Sequence, residues 1–516
     1  MPENQTENNV DKKSQSLVLI TVDCLRADHC GFYGYARPTT PFLDSLISES
    51  IVVPTAVVAG APTYYSLPAI LASRMPLALG RDVVGLAPDE ASLSTTLHEA
   101  GYATAAFSAA NPYISARFGY DRGFEVFRDF LDFDAAAAPS PKVAKSLQTG
   151  HSRGTVNRCL KKSGQAAGLS HLYDELYFQY RMRIAAPAVR SVDDLRMYPS
   201  ADIVVESAES WLTSIDSRSF FLWIHLMDPH HPYYPPAAAL HDLTGKDTPP
   251  ARVRYLNEFW NRSDVPVARL QGHKQAVVEL YDAGIRWVDS QIARLVSYLQ
   301  RSGRWDNCVF ALTADHGEEF LEHGRRYHAP VSLTEEIARV PLLVRVPGLQ
   351  KMGPKAIRAS GSGIVFSHLH LAPTLLEILD VPPPPDFQGK SLWNRLQRDT
   401  GPDGRDNDPA DSAIAECVYG CTNPFNEQAR LSPRLLSVRD TRYKLVIRLE
   451  PGAVEEIYDI ISDPQENSPL QARQTGEIRR RLLRLAMEHF KTTPNAGPAA
   501  AQLKIVLRDL RLKLHA

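Results

Sequence analysis

The chain has 516 residues, of which 44% are hydrophobic and 22% are charged. This is the ordinary balance of a soluble globular protein, and it excludes a mainly disordered chain. The 57 Lys and Arg residues nearly cancel the 59 Asp and Glu residues, so no overall basic field favours nucleic acid or an anionic membrane. We therefore expect no nucleic-acid partner, and any charged ligand must be recognised by a local site.

The N-terminal segment, MPENQTENNVDKKSQS, leads directly into an apolar run. It lacks the basic start, the apolar stretch of about 7–15 residues and the cleavage site of a secretory signal. No stretch of the chain approaches the ~20 apolar residues of a membrane span. Six cysteines in 516 residues do not make a disulfide framework. We expect a disordered tail over 1–16, no membrane span and a cytoplasmic location.

Strand and helix patterns then alternate along the chain. LVLITVD at 17–23 predicts a buried parallel strand that delivers an Asp at its end. Helical patterns follow at 41–50 and 66–73, and 92–108 predicts a helix, a turn and a strand.

The alternation resumes after 134–165, a segment rich in Ala, Pro and basic residues that predicts an excursion or a mobile loop. The later elements are a helix at 201–215, a strand at 220–228, a long helix around 274–301 and strands at 308–317 and 340–348. Such alternation predicts an α/β fold with a large, mostly parallel sheet flanked by helices. Ligands of these sheets bind at the carboxyl ends of the strands.

The C-terminal part has a different pattern. The segment 380–412 is rich in Pro, Gly and Asp and predicts a linker. RLLSVRDTRYKLVIRLEPGAVEEIYDI then predicts two or three strands of a smaller antiparallel sheet. We divide the chain into an α/β domain over 17–400 and a small-sheet subdomain over 401–516, which ends in a helix or a strand. This last segment is a candidate contact for self-association, so a homo-oligomer stays an open alternative.

Four separated segments carry residue types that suit metal-assisted chemistry. Asp23 and the pair Asp315 and His316 follow predicted strands, where they can face one cation with oxygen and nitrogen donors. Thr63 lies at the mouth of a predicted helix, whose unpaired N–H groups favour an anion. MDPHHPYYPP presents His230 on an extended loop. Each feature alone also fits an ordinary turn or helix cap.

The segment ITVDCLRADHCGFYGYARPTTPFLD resembles the opening signature of the sulfatase family in the alkaline phosphatase superfamily. Further segments resemble that family in the same order: HLMDPHHPYYPP, TADHGEEFLEHG, ARVPLLVRVPG, HLHLAPTLLEILDV and RYKLVIRLEPGAVEEIYDIISDPQEN. Together they cover about 17–468. The resemblance implies a large α/β catalytic domain, a smaller C-terminal sheet and one divalent metal ion.

Carried over by position, Asp23, Asp315 and His316 would bind this metal together with the nucleophile. Counting back from Arg74-Met75-Pro76, which is similar to the family's R-x-P, places the nucleophile at Thr63. Sulfatases carry a Cys or Ser there, in C-x-P-S-R, which is converted to formylglycine. The segment TYYSLP lacks that pattern and resembles the nucleophile segment of phosphoethanolamine transferases, which use an unmodified Thr.

Other positions are assigned through the same resemblance. His328, ranked above His323, would be a further ligand or substrate contact. His230 would protonate the leaving group or bind an ester oxygen, and Asn111 would contact the substrate.

Two family positions are changed. Cys24 replaces a second Asp of many sulfatases, and His370 replaces the Asp expected before APTLL. The change at Cys24 makes the site softer and less rich in oxygen. It favours Zn²⁺ or Mn²⁺ over Ca²⁺ or Mg²⁺.

These features predict a metal-dependent, sulfatase-like hydrolase. Its substrate would be a small-molecule phosphate or phosphonate ester, with sulfate esters as a further class, and Thr63 would form a covalent intermediate. Metal coordination is one way to activate a Thr hydroxyl. Two alternatives stay open: a soluble phosphotransferase that passes the group to an acceptor alcohol, and a non-catalytic binding protein on the same scaffold.

Overall fold

The computed structural model describes residues 15–132, 170–186, 188–348, 363–397, 411–450, 455–471 and 475–492, with five helical positions between 504 and 511. Most of the predicted tail, the 134–165 excursion and the 398–410 part of the linker lie outside the described residues. The domain boundary at 400 therefore stays a prediction.

The strands are numbered in chain order. They are β1 (Ser16–Val22), β2 (Ser50–Val52), β3 (Ala56–Val57), β4 (Ala103–Ser108), β5 (Val126–Arg128), β6 (Phe220–Leu226), β7 (Cys308–Ala314), β8 (Glu319–Phe320), β9 (Arg326–Tyr327), β10 (Arg339–Val340), β11 (Leu342–Arg345), β12 (Phe366–Ser367), β13 (Ser412–Val418), β14 (Arg434–Asp440), β15 (Tyr443–Leu449) and β16 (Glu455–Asp459).

The helices are numbered in the same way. They are α1 (Pro41–Ser45), α2 (Thr63–Ala72), α3 (Leu93–Glu99), α4 (Ser170–Tyr180), α5 (Ala201–Ser214), α6 (Ala237–Thr244), α7 (Pro250–Trp260), α8 (Val267–Arg301), α9 (Glu335–Ala338), α10 (Leu371–Ile378), α11 (Trp393–Gln397), α12 (Glu427–Arg430) and α13 (Gly476–Thr492). None of the helices in the described ranges is long and apolar enough to cross a membrane.

A seven-stranded sheet, in the order β2–β11–β7–β1–β6–β4–β5, forms the centre of the fold. β1 pairs in parallel with both β6 and β7, so Ile20 lies opposite Ile224 and Leu312. β4 and β5 continue the parallel set, whereas β11 runs antiparallel to β7 and β2. All seven residues of β1 are buried, as its nearly continuous apolar sequence requires. The predicted α/β fold is confirmed.

Helices pack around this sheet and fix the positions of its loops. The long helix α8 contacts α1, α5, α6 and α7, while α5 packs against β4 and β6. Every residue of α2 is buried, and this helix packs against α10. The predicted catalytic residues therefore lie at the ends of strands and helices that pack against several neighbouring elements.

The smaller sheet is an antiparallel meander in the order β13–β14–β15–β16, which confirms the predicted C-terminal sheet. Helix α13 covers it, because Leu482, Leu483 and Ala486 pack with apolar residues such as Leu436. β13 also connects this smaller sheet to the α/β domain. The Glu416 N–H donates to the carbonyl of Ala59, at an N···O distance of 2.9 Å.

Three predicted elements differ in detail. The strand predicted over 340–348 is split into β10 and β11 by Pro341, which has no N–H for a ladder bond. The helix predicted over 41–50 ends at Ser45 and continues as a 3₁₀ turn over Leu46–Glu49. The long helix begins seven residues early, at Val267, directly after a proline.

Candidate active site

The carboxyl ends of two neighbouring strands bring the predicted metal ligands together. Asp23 follows β1 and Asp315 follows β7, and both carboxylates are fully buried. His316 Nε2 lies 3.7 Å from Asp23 Oδ1 and 3.5 Å from Asp315 Oδ2. Because β1 and β7 pair in parallel and in register up to these positions, the two carboxylates leave the sheet side by side.

Thr63 is the first residue of α2 and also lies beside His316. Its Oγ1 lies 3.3 Å from His316 Nε2. One turn later, the Ser66 hydroxyl donates to the main-chain carbonyl of Asp315. This contact fixes the start of α2 against the end of β7. The Tyr65 and Ser66 N–H groups donate to the Pro62 carbonyl at 2.8 and 3.2 Å, so Thr63 stands at the N-terminal end of the helix, where the helix dipole is positive.

The ring of His316 has a defined orientation. Its Nδ1 lies 2.9 Å from the carbonyl of Gly317, so Nδ1–H donates and Nε2 keeps the lone pair that faces the carboxylates. A Cβ at Gly317 would lie 2.0 Å from the Glu336 carbonyl, and only glycine fits there. Burial opposes a charge on the ring, but Asp315 and Asp23 outweigh it and raise the pKa of His316.

The two carboxylate oxygens of Asp315 differ in their hydrogen bonds. Its Oδ1 accepts the His316 N–H at 2.9 Å and the Cys24 N–H at 3.4 Å. Its Oδ2 is buried and finds no hydrogen-bond partner among the residues that the structure describes. A buried oxygen without a partner is costly, and a cation at this position would satisfy it.

The pKa values of the two carboxyl groups, Asp23 and Asp315, are shifted in opposite directions. Burial, and then the charge of Asp23, raise the pKa of Asp315. Burial would also raise the pKa of Asp23, but His230, a hydrogen bond from His225 and the charge of His316 hold it well below its usual value. Two carboxylates, a ring nitrogen and a hydroxyl in one buried place are a donor set that fits one divalent cation.

A further layer holds Asp23 in position. Asn111 Nδ2 donates to Asp23 Oδ2 at 2.9 Å, and His225 Nε2 lies 3.4 Å from the same oxygen. The other nitrogen of His225 is 2.9 Å from the hydroxyl of Thr21. The role of Asn111 as a substrate contact stays a prediction. His225 was missed, although a histidine in the apolar run FFLWIHLMD was a signal for it.

The side chains of His328, His230 and Cys24 lie next to the predicted metal ligands. The ring centroid of His328 lies 4.6 Å from that of His316 and 5.0 Å from that of His230. Cys24 Sγ lies 3.3 Å from His328 Nδ1. Burial, followed by the charge of Glu318, raises the pKa of the Cys24 thiol well above its usual value.

Glu318, which the sequence analysis did not single out, positions the ring of His328. Its Oε1 lies 3.0 Å from His328 Nδ1, and its Oε2 accepts the Tyr233 hydroxyl at 2.7 Å. The two other histidines that were considered lie elsewhere. His323 Nε2 is 3.2 Å from Glu336 Oε2, and His370 Nδ1 accepts the Lys390 N–H.

All six principal residues of the prediction therefore meet in one place, at the carboxyl edge of the central sheet. They are Asp23, Thr63, His230, Asp315, His316 and His328.

Comparisons with known proteins identify the family of this chain. The sulfatase family model matches residues 15–381, and the model for the C-terminal part of N-sulphoglucosamine sulphohydrolase matches residues 322–491. The N-acetylglucosamine-6-O-sulfatase of Bacteroides thetaiotaomicron is 29% identical over 237 residues, which are 45% of this chain and 39% of the relative. The arylsulfatase of Clostridium perfringens is 24% identical over 404 residues, 74% of this chain and 78% of the relative.

A multifunctional alkaline phosphatase superfamily protein of Trinickia caryophylli is 23% identical over 297 residues, 53% of this chain and 55% of the relative. The chain spans only 39% to 55% of the length of the first three curated relatives.

Solved structures share the fold across almost the whole chain. The phosphonate monoester hydrolase of Agrobacterium radiobacter has a TM-score of 0.60 at 17% identity, covering 93% of this chain and 95% of its own. The structure of BT4656 with D-glucosamine-2-N,6-O-disulfate has a TM-score of 0.60 at 18% identity, covering 93% and 98%. Since the family model covers well over half of the sequence, this chain belongs to the sulfatase family, with the α/β fold of the alkaline phosphatase superfamily.

Proposed function

We propose that this protein is a metal-dependent hydrolase of phosphate or phosphonate esters that uses unmodified Thr63 as its nucleophile. The observation that carries this proposal is the position of Thr63. Its hydroxyl stands at the start of α2, 3.3 Å from His316 Nε2 and beside the buried carboxylates of Asp23 and Asp315. The segment around Thr63 lacks the Cys, Pro and Arg of the formylglycine pattern.

The sulfatase family generally binds a divalent metal, and the donor set here fits one. A divalent cation held by Asp23, Asp315, His316 and Thr63 would lower the pKa of the hydroxyl and offset charge on the ester oxygens. Zn²⁺ or Mn²⁺ suits this site better than Ca²⁺ or Mg²⁺, because His316 contributes nitrogen and Cys24 replaces an oxygen ligand.

The chain's own groups account for the remaining requirements of the reaction. The Thr63 hydroxyl gives up its proton to solvent and Oγ1 attacks phosphorus; the bond from phosphorus to the leaving oxygen breaks, and that oxygen takes up a proton. The ring of His230 lies 5.0 Å from that of His328, and it can donate this proton or bind an ester oxygen. The helix N-terminus at Thr63 stabilises the phosphothreonine, and water then attacks phosphorus and releases the Thr63 hydroxyl.

The relatives support the substrate class without fixing its organic part. Structures with this fold include phosphonate monoester hydrolases and a sulfatase-fold protein bound to a glucosamine disulfate. Phosphate, phosphonate and sulfate esters are therefore the three classes to compare. The Thr nucleophile favours phosphorus esters, and sulfate esters would be a secondary class.

A phosphotransferase is the second candidate. It shares the first half of the reaction, and the segment TYYSLP, which resembles that of phosphoethanolamine transferases, favours it. The two functions differ in what removes the group from Thr63. A transferase would release product only when an acceptor alcohol is present, whereas a hydrolase needs water alone.

The test is a paired assay on the p-nitrophenyl esters of phosphate, a phosphonate and sulfate. We expect phosphorus-ester turnover in the wild type that Thr63→Ala abolishes, with the metal content preserved. Dominant sulfate turnover would contradict the assignment to phosphorus esters. Turnover that appears only with an added alcohol would identify the transferase, and a bound metal in every variant without any turnover would favour a binding protein.

A further inference from the structure

Two segments beside the candidate active site contact each other at two neighbouring positions. The ring centroids of His230 and His328 lie 5.0 Å apart, and those of the adjacent residues His231 and Tyr327 lie 4.3 Å apart. We propose that the contact between His231 and Tyr327 positions the ring of His230 to protonate the leaving oxygen. This inference rests on the proposed function, because it assigns two positioning residues to the same reaction.

His231 and Tyr327 are joined by a hydrogen bond as well as by their rings. The hydroxyl oxygen of Tyr327 lies 3.3 Å from Nε2 of His231. The same hydroxyl lies 3.4 Å from Oδ1 of Asn261, the residue directly after α7. His231 belongs to the loop after β6, whereas Tyr327 is the last residue of β9. The pair therefore connects segments that are far apart in the chain.

The backbone of Tyr327 is in a conformation that aromatic residues rarely adopt. Its φ of 69° lies in the left-handed region, which glycine occupies without strain. The strand that contains it, β9, has only two residues, and its ladder consists of Tyr327 opposite Glu319 and Arg326 opposite Phe320. A strained backbone persists where surrounding contacts hold it, and such strain is concentrated at functional sites. The conformation of Tyr327 therefore points to a role for its side chain.

A second route connects the same pair to His328. The rings of His231 and Tyr233 stand nearly perpendicular, with their centroids 5.5 Å apart. The Tyr233 hydroxyl donates to Oε2 of the buried Glu318 at 2.7 Å, and Oε1 of Glu318 lies 3.0 Å from Nδ1 of His328. Because His328 follows Tyr327 in the chain, these contacts form a closed circuit. A circuit of this kind restricts each ring more than a single contact does, since no member can shift alone.

His230 is held mainly through its backbone. The Tyr198 hydroxyl donates to the His230 carbonyl at 3.0 Å, and the His230 N–H donates to the Met227 carbonyl at 2.9 Å. The Nδ1 atom of its ring is buried and has no hydrogen-bond partner within the described ranges of the chain. The position of this ring therefore depends on the loop that carries it and on its packing against His328. The next residue of that loop, His231, makes the contact with Tyr327.

The position of His230 matters because proton transfer depends steeply on distance. A proton donor acts only within hydrogen-bond reach of the leaving oxygen, and a displacement of about 1 Å can cost about 10²-fold in rate. A phenolate needs this proton more than a p-nitrophenolate, whose nitro group stabilises the negative charge. Loss of the contact between His231 and Tyr327 should therefore slow phenyl esters far more than p-nitrophenyl esters. A general loss of stability does not produce this selectivity.

The test uses the full-length protein and compares the phenyl and p-nitrophenyl esters of the phosphorus acid that the wild type hydrolyses. The quantity measured is kcat/KM, since it includes the step that releases the leaving group. We expect Tyr327→Ala and His231→Ala each to lower kcat/KM by about 10²-fold for the phenyl ester but by less than about 10-fold for the p-nitrophenyl ester. The double variant should lose no more than either single variant, because the two side chains act through one contact. Tyr327→Phe, which keeps the ring, should lose less.

Three further variants separate positioning from folding. Tyr177→Ala is the matched control, because Tyr177 also stacks on a neighbouring ring at a half-exposed position, but on α4; it should leave both values unchanged. Tyr327→Gly removes the ring and accommodates the left-handed backbone, so it should stay folded by circular dichroism and show the same selective loss. His230→Gln should show that loss too, and adding Tyr327→Ala to it should have no further effect.

The outcomes distinguish this inference from the proposed function. A wild type without turnover of any phosphorus ester would overturn the proposed function, and this inference with it. A wild type that hydrolyses both esters, with variants of Tyr327 and His231 that lose nothing or lose equally with both, would overturn the inference alone. Additive losses in the double variant, or a His230→Gln variant without the selective loss, would overturn it as well.

Discussion

Thr63 Oγ1 lies 3.3 Å from Nε2 of His316, although 253 positions separate the two residues in the sequence. The contact joins the start of a buried helix to the end of a central strand. Both residues are fixed by neighbours, Thr63 through the contact of Ser66 with the Asp315 carbonyl and His316 through the Gly317 carbonyl. The candidate active site is therefore preorganised, and substitutions within it should change function more than stability.

Removal of the Thr63 hydroxyl should abolish turnover. We expect Thr63→Ala to lower kcat by at least about 10³-fold, as for other nucleophile deletions, while Thr63→Ser keeps part of the activity. Steady-state kinetics with a phosphorus ester measures both. Thr213→Ala, on the exposed side of α5, is the control and should leave kcat unchanged. Comparable kcat in Thr63→Ala and the wild type would remove Thr63 from the mechanism.

Loss of the groups that hold Asp23 should weaken metal binding. Asn111→Ala and His225→Ala each leave Asp23 Oδ2 with one partner fewer. Outer contacts of this kind are worth about 10–100-fold in metal affinity, and we expect a decrease of that size in a competition titration with a chelator. Asn394→Ala, which removes an exposed contact with Glu377, should have no effect. Unchanged affinity in both site variants would show that Asp23 is not a ligand.

Two glycines of helix α8 should respond in opposite ways to the same substitution. A Cβ at Gly284 would lie 2.7 Å from the carbonyl of Asp228, in the loop that carries His230. Gly284→Ala should therefore destabilise the protein by about 1–3 kcal/mol and lower turnover. A Cβ at Gly272 meets nothing within 4 Å, and Gly272→Ala should stabilise the helix by about 0.5–1 kcal/mol. Denaturant unfolding compares them, and equal effects would refute the packing between α8 and this loop.

The buried ring of His368 should make stability fall in acid. Burial lowers the pKa of His368 to about 3, whereas an unfolded His titrates near 6.5. Between these values the unfolded state binds the extra proton, so the free energy of unfolding decreases as the pH falls. From pH 6.5 to pH 5 this single group should lower the free energy of unfolding by about 1.6 kcal/mol.

His368→Gln removes the titrating ring and should flatten that part of the pH profile. His241→Gln, at an exposed position of α6, is the control and should keep the wild-type slope. Urea unfolding at several pH values gives the free energies. A His368→Gln variant that loses stability between pH 6.5 and pH 5 as steeply as the wild type would contradict the buried, neutral state of this ring.

The residues that could be predicted from the sequence are those whose position follows from neighbouring residues in the chain. Asp23 and Asp315 come directly after apolar strands, and parallel strands bring their carboxyl ends to one edge. The same logic predicted the sheet itself. Thr63 was located by its distance from a resembling motif and by its place at the start of a helix.

The residues that were missed depend on contacts between distant parts of the chain. His225 is the last residue but one of β6, and its role arises from Asp23, 202 positions away. Cys24 was recognised as a substitution of the family pattern, but its closeness to His328 joins positions 304 apart. No periodicity or local motif contains such pairs, because they form only when the loops after β1, β6 and β7 are folded onto one edge.

The central claim is that unmodified Thr63 carries the covalent intermediate, and mass spectrometry of acid-quenched enzyme during turnover tests it most directly. We predict that the peptide containing Thr63 has its unmodified mass at rest and gains one phosphoryl group, located on Thr63, during turnover of a phosphate ester. An aldehyde-bearing residue within 61–68, or a phosphoryl group on another residue while Thr63→Ala keeps full activity, would contradict the claim.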